Sequence, residues 1–336
     1  MDLNTSWYIL IGVLFGGYAV LDGFDLGAGI LSLFSRDEKE RSTCMSAIAP
    51  VWDGNEVWLL AGGGALFAAF PKVYAAVFSG FYLALMLVLY ALILRAVSME
   101  FSAHVHSPAA KKIWGIVFGA SSLIVALLLG VAFANIMRGL PISAEGDYTG
   151  GFFGLLNPTG LIGGVVGIAF FTMHGAAYMS MKTDGALQQR MLGHGKKMAV
   201  ASAVVFVLLM VMLGLQAKHL FSGGLFYWLA ILVMAGGFVL SIRSASGQKS
   251  GLFFIGSALV ILAYIASVAV GLYPNMALSS LDPAWSLTAY NASSTPRTLQ
   301  AMLIIALVGM PVVLAYTVVI YRVFRGKASD SYYSEN

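Results

Sequence analysis

Charge is scarce in this sequence: 19 Lys and Arg and 15 Asp and Glu are spread over 336 residues, 10% of the chain, against about 25% in an ordinary soluble domain. A chain with so little charge cannot clothe a water-facing surface, which excludes a soluble enzyme or binding module. Cysteine is almost absent. Cys44 stands alone, which excludes an internal disulfide, a Cys-x-x-Cys redox or zinc site, and covalent c-type haem attachment. The 9 prolines and 38 glycines form no run longer than the three glycines at 62–64, so collagen-like and low-complexity chains are excluded too. No Walker loop, dinucleotide glycine pattern or His-Glu-x-x-His motif occurs, leaving no visible means of using ATP, nicotinamide or zinc. What is abundant is apolar surface, 59% of residues with a mean hydropathy of +0.85. The solvent for this chain is lipid, and the net charge of +4 is explained by orientation in a membrane rather than by nucleic acid.

A bilayer core takes roughly 20 apolar residues per helix. On that rule the sequence predicts an all-α polytopic membrane protein, one integral-membrane domain over 1–336, with nine spans at 7–34, 48–70, 73–101, 113–137, 159–181, 198–217, 225–242, 251–273 and 299–323. The first span has no basic residue ahead of it and is too long for a signal-peptide core, so it is expected to be retained. The connections 138–158 and 274–298 are the longest, and neither can hold a folded domain. Basic residues accumulate on the cytoplasmic side. With Arg95 and Arg322 assigned to the connections that follow their spans, alternate segments hold 15 and 4 of the 19, which predicts the N-terminus outside and the C-terminus in the cytoplasm. Glycines at three- and four-residue spacing, Gly12/Gly16, Gly23/Gly27 and Gly160/Gly163/Gly164/Gly167, predict closely packed helices. Asn157-Pro158 reads as an N-cap followed by proline in the first turn.

Chemistry concentrates in the first two spans, in LDGFDLG (21–27) and PVWDGNEVW (50–58). A carboxylate at mid-helix costs roughly 2.5–3.5 kcal/mol on insertion scales, so Asp22, Asp25, Asp53 and Glu56 need compensation. Each pair has three-residue spacing, which predicts that both members share a face. At ~1.5 Å per residue, Asp25 and Asp22 lie about 13 and 18 Å from the cytoplasmic end, and Asp53 and Glu56 about 12 and 16 Å from theirs. Matching depths point to one carboxylate cluster with Asn55 beside it, a proton-conducting or cation-binding path. The plainer alternative is a polar knot bonded to backbone or to a basic residue such as Arg95. Glu100 reads as an entry carboxylate or an interfacial charge. His174, about 22 Å from the outer end of its span, either joins the path or is a hydrogen-bonded bundle histidine, and one buried histidine cannot supply both axial ligands of a bis-His haem. Aromatics near span ends, Trp7, Tyr8, Phe226, Tyr227, Trp228, Tyr321 and Phe324, fit interface belts and need no further role.

Four motifs in order, GYAVLDGFDLG (17–27), IAPVWDGNEVW (48–58), GGALFAAFPKVYA (63–75) and LLNPTG (155–160), resemble subunit II of cytochrome bd-type quinol oxidases. The resemblance is strongest through about residue 100. It implies a bacterial plasma (inner) membrane complex that oxidises quinol and reduces O₂ to water, a terminal oxidase of aerobic respiration. In such a complex subunit I carries haems b and d, and subunit II is its haem-free partner, two four-helix bundles plus a peripheral helix. The resemblance further implies a proton route to the oxygen site through Asp25 and Asp53, with Asp22 behind them, no catalytic or metal-ligating residue in this chain, a structural quinone in some members, and room for a small single-span accessory subunit. Val51 stands where some members have His and Glu56 where some have Gln, so Glu56 is the weaker carrier. The short connection between spans six and seven resembles the branch that includes cyanide-insensitive forms. The competing expectation is a stand-alone proton-coupled or cation transporter using the same carboxylates.

Overall fold

The computed structural model describes residues 2–328, and among them the chain is helical almost throughout. The helices are α1 (Leu3–Ser32), α2 (Glu38–Ile48), α3 (Trp52–Ala69), α4 (Pro71–Gly80), α5 (Tyr82–His104), α6 (Pro108–Arg138), α7 (Pro158–Lys182), α8 (Gly185–Gln216), α9 (Gly224–Ser246), α10 (Ser250–Leu272) and α11 (Pro296–Val323). Eight of them, all but α2, α3 and α4, are long and apolar enough to cross a membrane.

Two expected spans differ from what is observed. The second, 48–70, is broken before its polar motif: α2 ends at Ile48 and α3 begins at Trp52, with Pro50 between them. Proline supplies no N–H to continue the α2 ladder; Ala49 before it keeps helical angles, and the chain departs from them at Val51, with φ −129°. The break leaves α3 only 18 residues, opening on Asp53, Gly54, Asn55 and Glu56, and that polar start keeps it out of the apolar set. The third, 73–101, is divided at Phe81 between α4 and α5.

α1 is the hub, packing on α3, α6, α7 and α10. Its C-terminal half is buried all round, every residue from Asp22 to Ser32. Small residues allow this. A Cβ on Gly27 would fall 1.9 Å from the Phe171 carbonyl oxygen and 2.8 Å from Gly175 Cα, so α1 and α7 cross backbone on backbone, and Gly163 meets α6 at Gly130 in the same way. Gly12 faces open space and has no such role. α7, α8, α9 and α10 pack each on the next, and α10 returns to α7. The α7 start is built as expected, with the Asn157 side chain accepting from Gly160 N and Pro158 in the first turn.

The two long connections pair with each other, which hydropathy gave no sign of. Leu140 N donates to Leu278 O and Ser280 N to Leu140 O, both at 2.8 Å, beside the two-stranded ladder of β1 (Asn275–Ala277) and β2 (Leu287–Thr288). On α2, Cys44 is 1% exposed. Burial pushes its thiol up to about 12.

Candidate functional site

The C-terminal half of α1 carries Asp22 and Asp25, both fully buried, and the neighbouring helices converge on them. Arg95 of α5 donates from Nη2 to Asp22 Oδ1 at 2.5 Å and lies 3.3 Å from Glu56 Oε1. Its side chain is 0% exposed. Arg95 is therefore an interior residue. Its place in the cytoplasmic charge tally is corrected, and the bias stands without it. A buried guanidinium between two carboxylates offsets part of the desolvation of all three groups.

Asp25 has a different partner. Asn55 donates from Nδ2 to Asp25 Oδ2 at 2.8 Å and makes a longer bond to Leu21 O at 3.3 Å. Asn55 Oδ1 accepts from the Tyr321 hydroxyl of α11 at 2.9 Å. This contact fixes the depth of α3: Asn55 lies level with Asp25, seven residues and so about 10 Å from the end of α1. Asp22 Oδ2, Asp25 Oδ1, and Nε and Nη1 of Arg95 are buried without a hydrogen-bond partner, so the cluster keeps unused polar capacity.

Asp53 and Glu56 do not share the inward face. Asn55, Trp58, Gly62, Leu66 and Ala69 form the buried stripe of α3. At about 100° per residue, Glu56 falls on the flank of that stripe and Asp53 nearly opposite it. Glu56 accordingly meets Arg95 with its side chain 21% exposed, while Asp53 is exposed. Glu100 is likewise exposed on α5, and His104 Nδ1 lies 2.8 Å from its backbone oxygen. The cluster thus unites Asp22, Asp25 and Glu56 and leaves Asp53 and Glu100 outside it.

His174 of α7 is fully buried. Its Nε2 donates to the Val20 carbonyl at 3.0 Å, its Nδ1 lies 2.8 Å from Ser257 Oγ on α10, and its ring stacks on Phe254. Both nitrogens are occupied, so this residue does not fit a haem iron. Among the described residues no group of three or more His, Cys, Asp or Glu could hold a metal ion.

The sequence left Tyr321 in the interface belt with no further role, and the structure places its hydroxyl in the carboxylate site. Only its position near the end of the last helix was legible beforehand.

The family model described as cytochrome bd terminal oxidase subunit II matches residues 3–324. The chain belongs to that family. Among curated relatives, cytochrome bd-I ubiquinol oxidase subunit 2 of Escherichia coli (strain K12) is 37% identical over 351 residues, covering 94% of this chain and 92% of that protein. Cytochrome bd ubiquinol oxidase subunit 2 of Bacillus subtilis (strain 168) is 36% identical over 334 residues, covering 98% and 97%. The solved bd oxidase of Geobacillus thermodenitrificans shares the fold, with a TM-score of 0.81 over 96% of this chain and 99% of that one, at 15% identity. This chain is thus a multi-pass membrane subunit of a cytochrome bd terminal oxidase, a complex that contains haem and a subunit I partner. The stand-alone transporter is not favoured.

Proposed function

We propose that this subunit of a quinol:O₂ oxidoreductase carries protons from the cytoplasmic side to the face that meets the haem-bearing subunit I. One observation carries the proposal: Asp22 and Glu56 converge on one buried arginine and Asn55 ties Asp25 in beside them, while Asp53, on the same first turns of α3, faces outward. A carboxylate facing lipid at this depth would cost about 2.5–3.5 kcal/mol, so the Asp53 face is assigned to the partner. Glu56, on the flank, bridges the buried cluster and that face. Arg95 offsets the negative charge of the cluster, and the unpartnered oxygens of Asp22 and Asp25 hold or release a proton without breaking an existing bond. Glu100 is assigned to the cytoplasmic mouth. His174 is a post rather than a carrier, because its Nε2–H ends on a backbone carbonyl that cannot pass a proton on. Reducing O₂ to water consumes protons, and drawing them from one side makes the reaction electrogenic without a pump.

The same reading gives the chain nine crossings in a bacterial inner membrane, α3 among them, with the N-terminus outside and the C-terminus in the cytoplasm. The closed packing of α7–α10 supports one four-helix bundle, α1, α3, α5 and α6 form the other, and α11 is peripheral. Haems b and d are assigned to subunit I and quinol to the complex. A structural quinone is assigned to the apolar groove of about 550 Å³ between α8 and α9, lined in part by Lys218, Phe221, Tyr227 and Trp228. A small single-span subunit would complete the complex.

The test is O₂ consumption by the purified complex. Asp25→Asn and Asp53→Asn are each expected to slow turnover at least about tenfold with the haem spectra unchanged, and normal turnover in both would leave the carboxylates a structural role only.

A further inference from the structure

α11 is the outlier of the fold. Leu299 is its one buried residue, and its central apolar window is 0% buried. Yet its inner end is held with care. Lys182, at the end of α7, donates from Nζ to the Phe324 and Gly326 carbonyls. Lys327 donates to Thr183 O at 2.9 Å and pairs with Asp184 Oδ1 at 3.1 Å. At the outer end, Trp7 Nε1 donates to Leu299 O at 2.9 Å.

These ties seat Tyr321, whose ring also meets Phe24 of α1 edge-on at 6.4 Å. Its hydroxyl is the α11 group that bonds into the carboxylate site, and it holds the oxygen end of the Asn55 amide. An amide can present either its oxygen or its NH₂ to a neighbour. The Leu21 carbonyl can only accept and so selects Nδ2, and the tyrosine hydroxyl donating to Oδ1 holds the amide in that orientation, with Nδ2 turned toward Asp25. Without that donor, Asn55 Oδ1 loses its partner and the amide is held from its Nδ2 end alone, by Asp25 and the longer bond to Leu21 O. An amide so loosened turns or tilts relative to Oδ2 of Asp25, and with its oxygen toward that carboxyl the bond would need the proton to come from Asp25 itself.

We infer that Tyr321 is a positioning residue for Asp25, acting through Asn55, and that the Lys182 and Lys327 ties hold α11 so that a peripheral helix sets the hydrogen bonding of a buried carboxyl. This rests on the proton-route reading for its effect on turnover, but the geometry of Asp25 can be read without turnover.

The experiment compares Tyr321→Phe with Tyr316→Phe, an exposed tyrosine on the same helix, in the intact complex. Infrared difference spectra identify the carboxyl band of Asp25 by its loss in Asp25→Asn. The expected result is a shift of that band in Tyr321→Phe and none in Tyr316→Phe. It is accompanied by a fall in O₂ consumption of roughly fivefold, the scale of one neutral hydrogen bond, which disappears when Tyr321→Phe is added to Asp25→Asn. An unshifted band overturns the inference, and so does full additivity in the double variant. Normal turnover in both Asp25→Asn and Asp53→Asn would instead sink the proton-route reading, and the band would still decide the role of Tyr321. If Tyr321→Phe does not assemble, Lys327→Ala, which frees the end of α11 without touching Asn55, is read in the same way.

Discussion

α1 and α11 are membrane helices of similar length, 30 and 28 residues, with opposite surroundings. α1 is among the least apolar of the eight candidate spans and α11 among the most, yet 56% of the α1 window is buried inside the protein and none of the α11 window is. α7, the least apolar of the eight, is the most buried. The order is the reverse of that in a water-soluble protein, because lipid is as good a solvent for leucine as a protein core is. Polar and small residues gain most from leaving lipid: the polar ones find partners there, and the small ones let backbones approach.

The sharpest way to break that contrast is to add bulk at matched glycines. Gly27→Val would drive a side chain into the Phe171 backbone and is expected to cost more than about 4 kcal/mol, seen as loss of the assembled complex from membranes. Gly309→Val on α11 meets open space and should assemble normally. Equal tolerance at both sites would remove the distinction between hub and periphery. Next in size is Arg95→Leu, which strands Asp22 and Glu56 and should destabilise by about 3–5 kcal/mol. Arg322→Leu, an exposed arginine on α11, should change the thermal midpoint little. A larger loss from Arg322 would reverse the assignment of interior and surface.

The smallest effect lies at the membrane edge. Burial pulls the Glu40 carboxyl up, but hydrogen bonds from the Arg190 side chain and the Arg36 backbone outweigh it and hold the group below the usual carboxylate range. A depressed native value contributes stability above the ordinary range and loses it as pH falls through the native value. Glu40→Gln should therefore cost about 1 kcal/mol or less near neutral pH, with the gap to the parent closing in acid. Thermal inactivation measured across that range would show the gap, and a constant or widening one would contradict the pairing.

Membrane character and the depth match of the two acidic motifs could be read from the sequence, because both depend on counting residues along a helix. Facing could not. A helix apolar all round has no face to read: Arg95 could be named both as a cytoplasmic charge and as a partner for the acidic motifs, with nothing in the 73–101 run to choose between them, and nothing marked Phe81 as a break. The three-residue rule failed for Asp53 and Glu56 because it places residues 60° apart without saying where the inward stripe lies, and Asn55 settles that only once α1 is in place. Tyr321 was hidden for a related reason: an aromatic near a span end looks the same whether its hydroxyl meets headgroups or a buried amide. The pairing of the two long connections depends on backbone bonds between segments more than a hundred residues apart, which local composition does not record.

The buried thiol of α2 has a practical consequence. With Cys44 shielded and almost wholly protonated at neutral pH, an alkylating reagent should find nothing to react with while the chain is folded. The natural protein therefore serves as its own cysteine-less background. A single cysteine introduced at an exposed position would carry a spin or fluorescent label without prior mutagenesis, and delayed labelling of Cys44 itself would time the moment at which α2 comes loose.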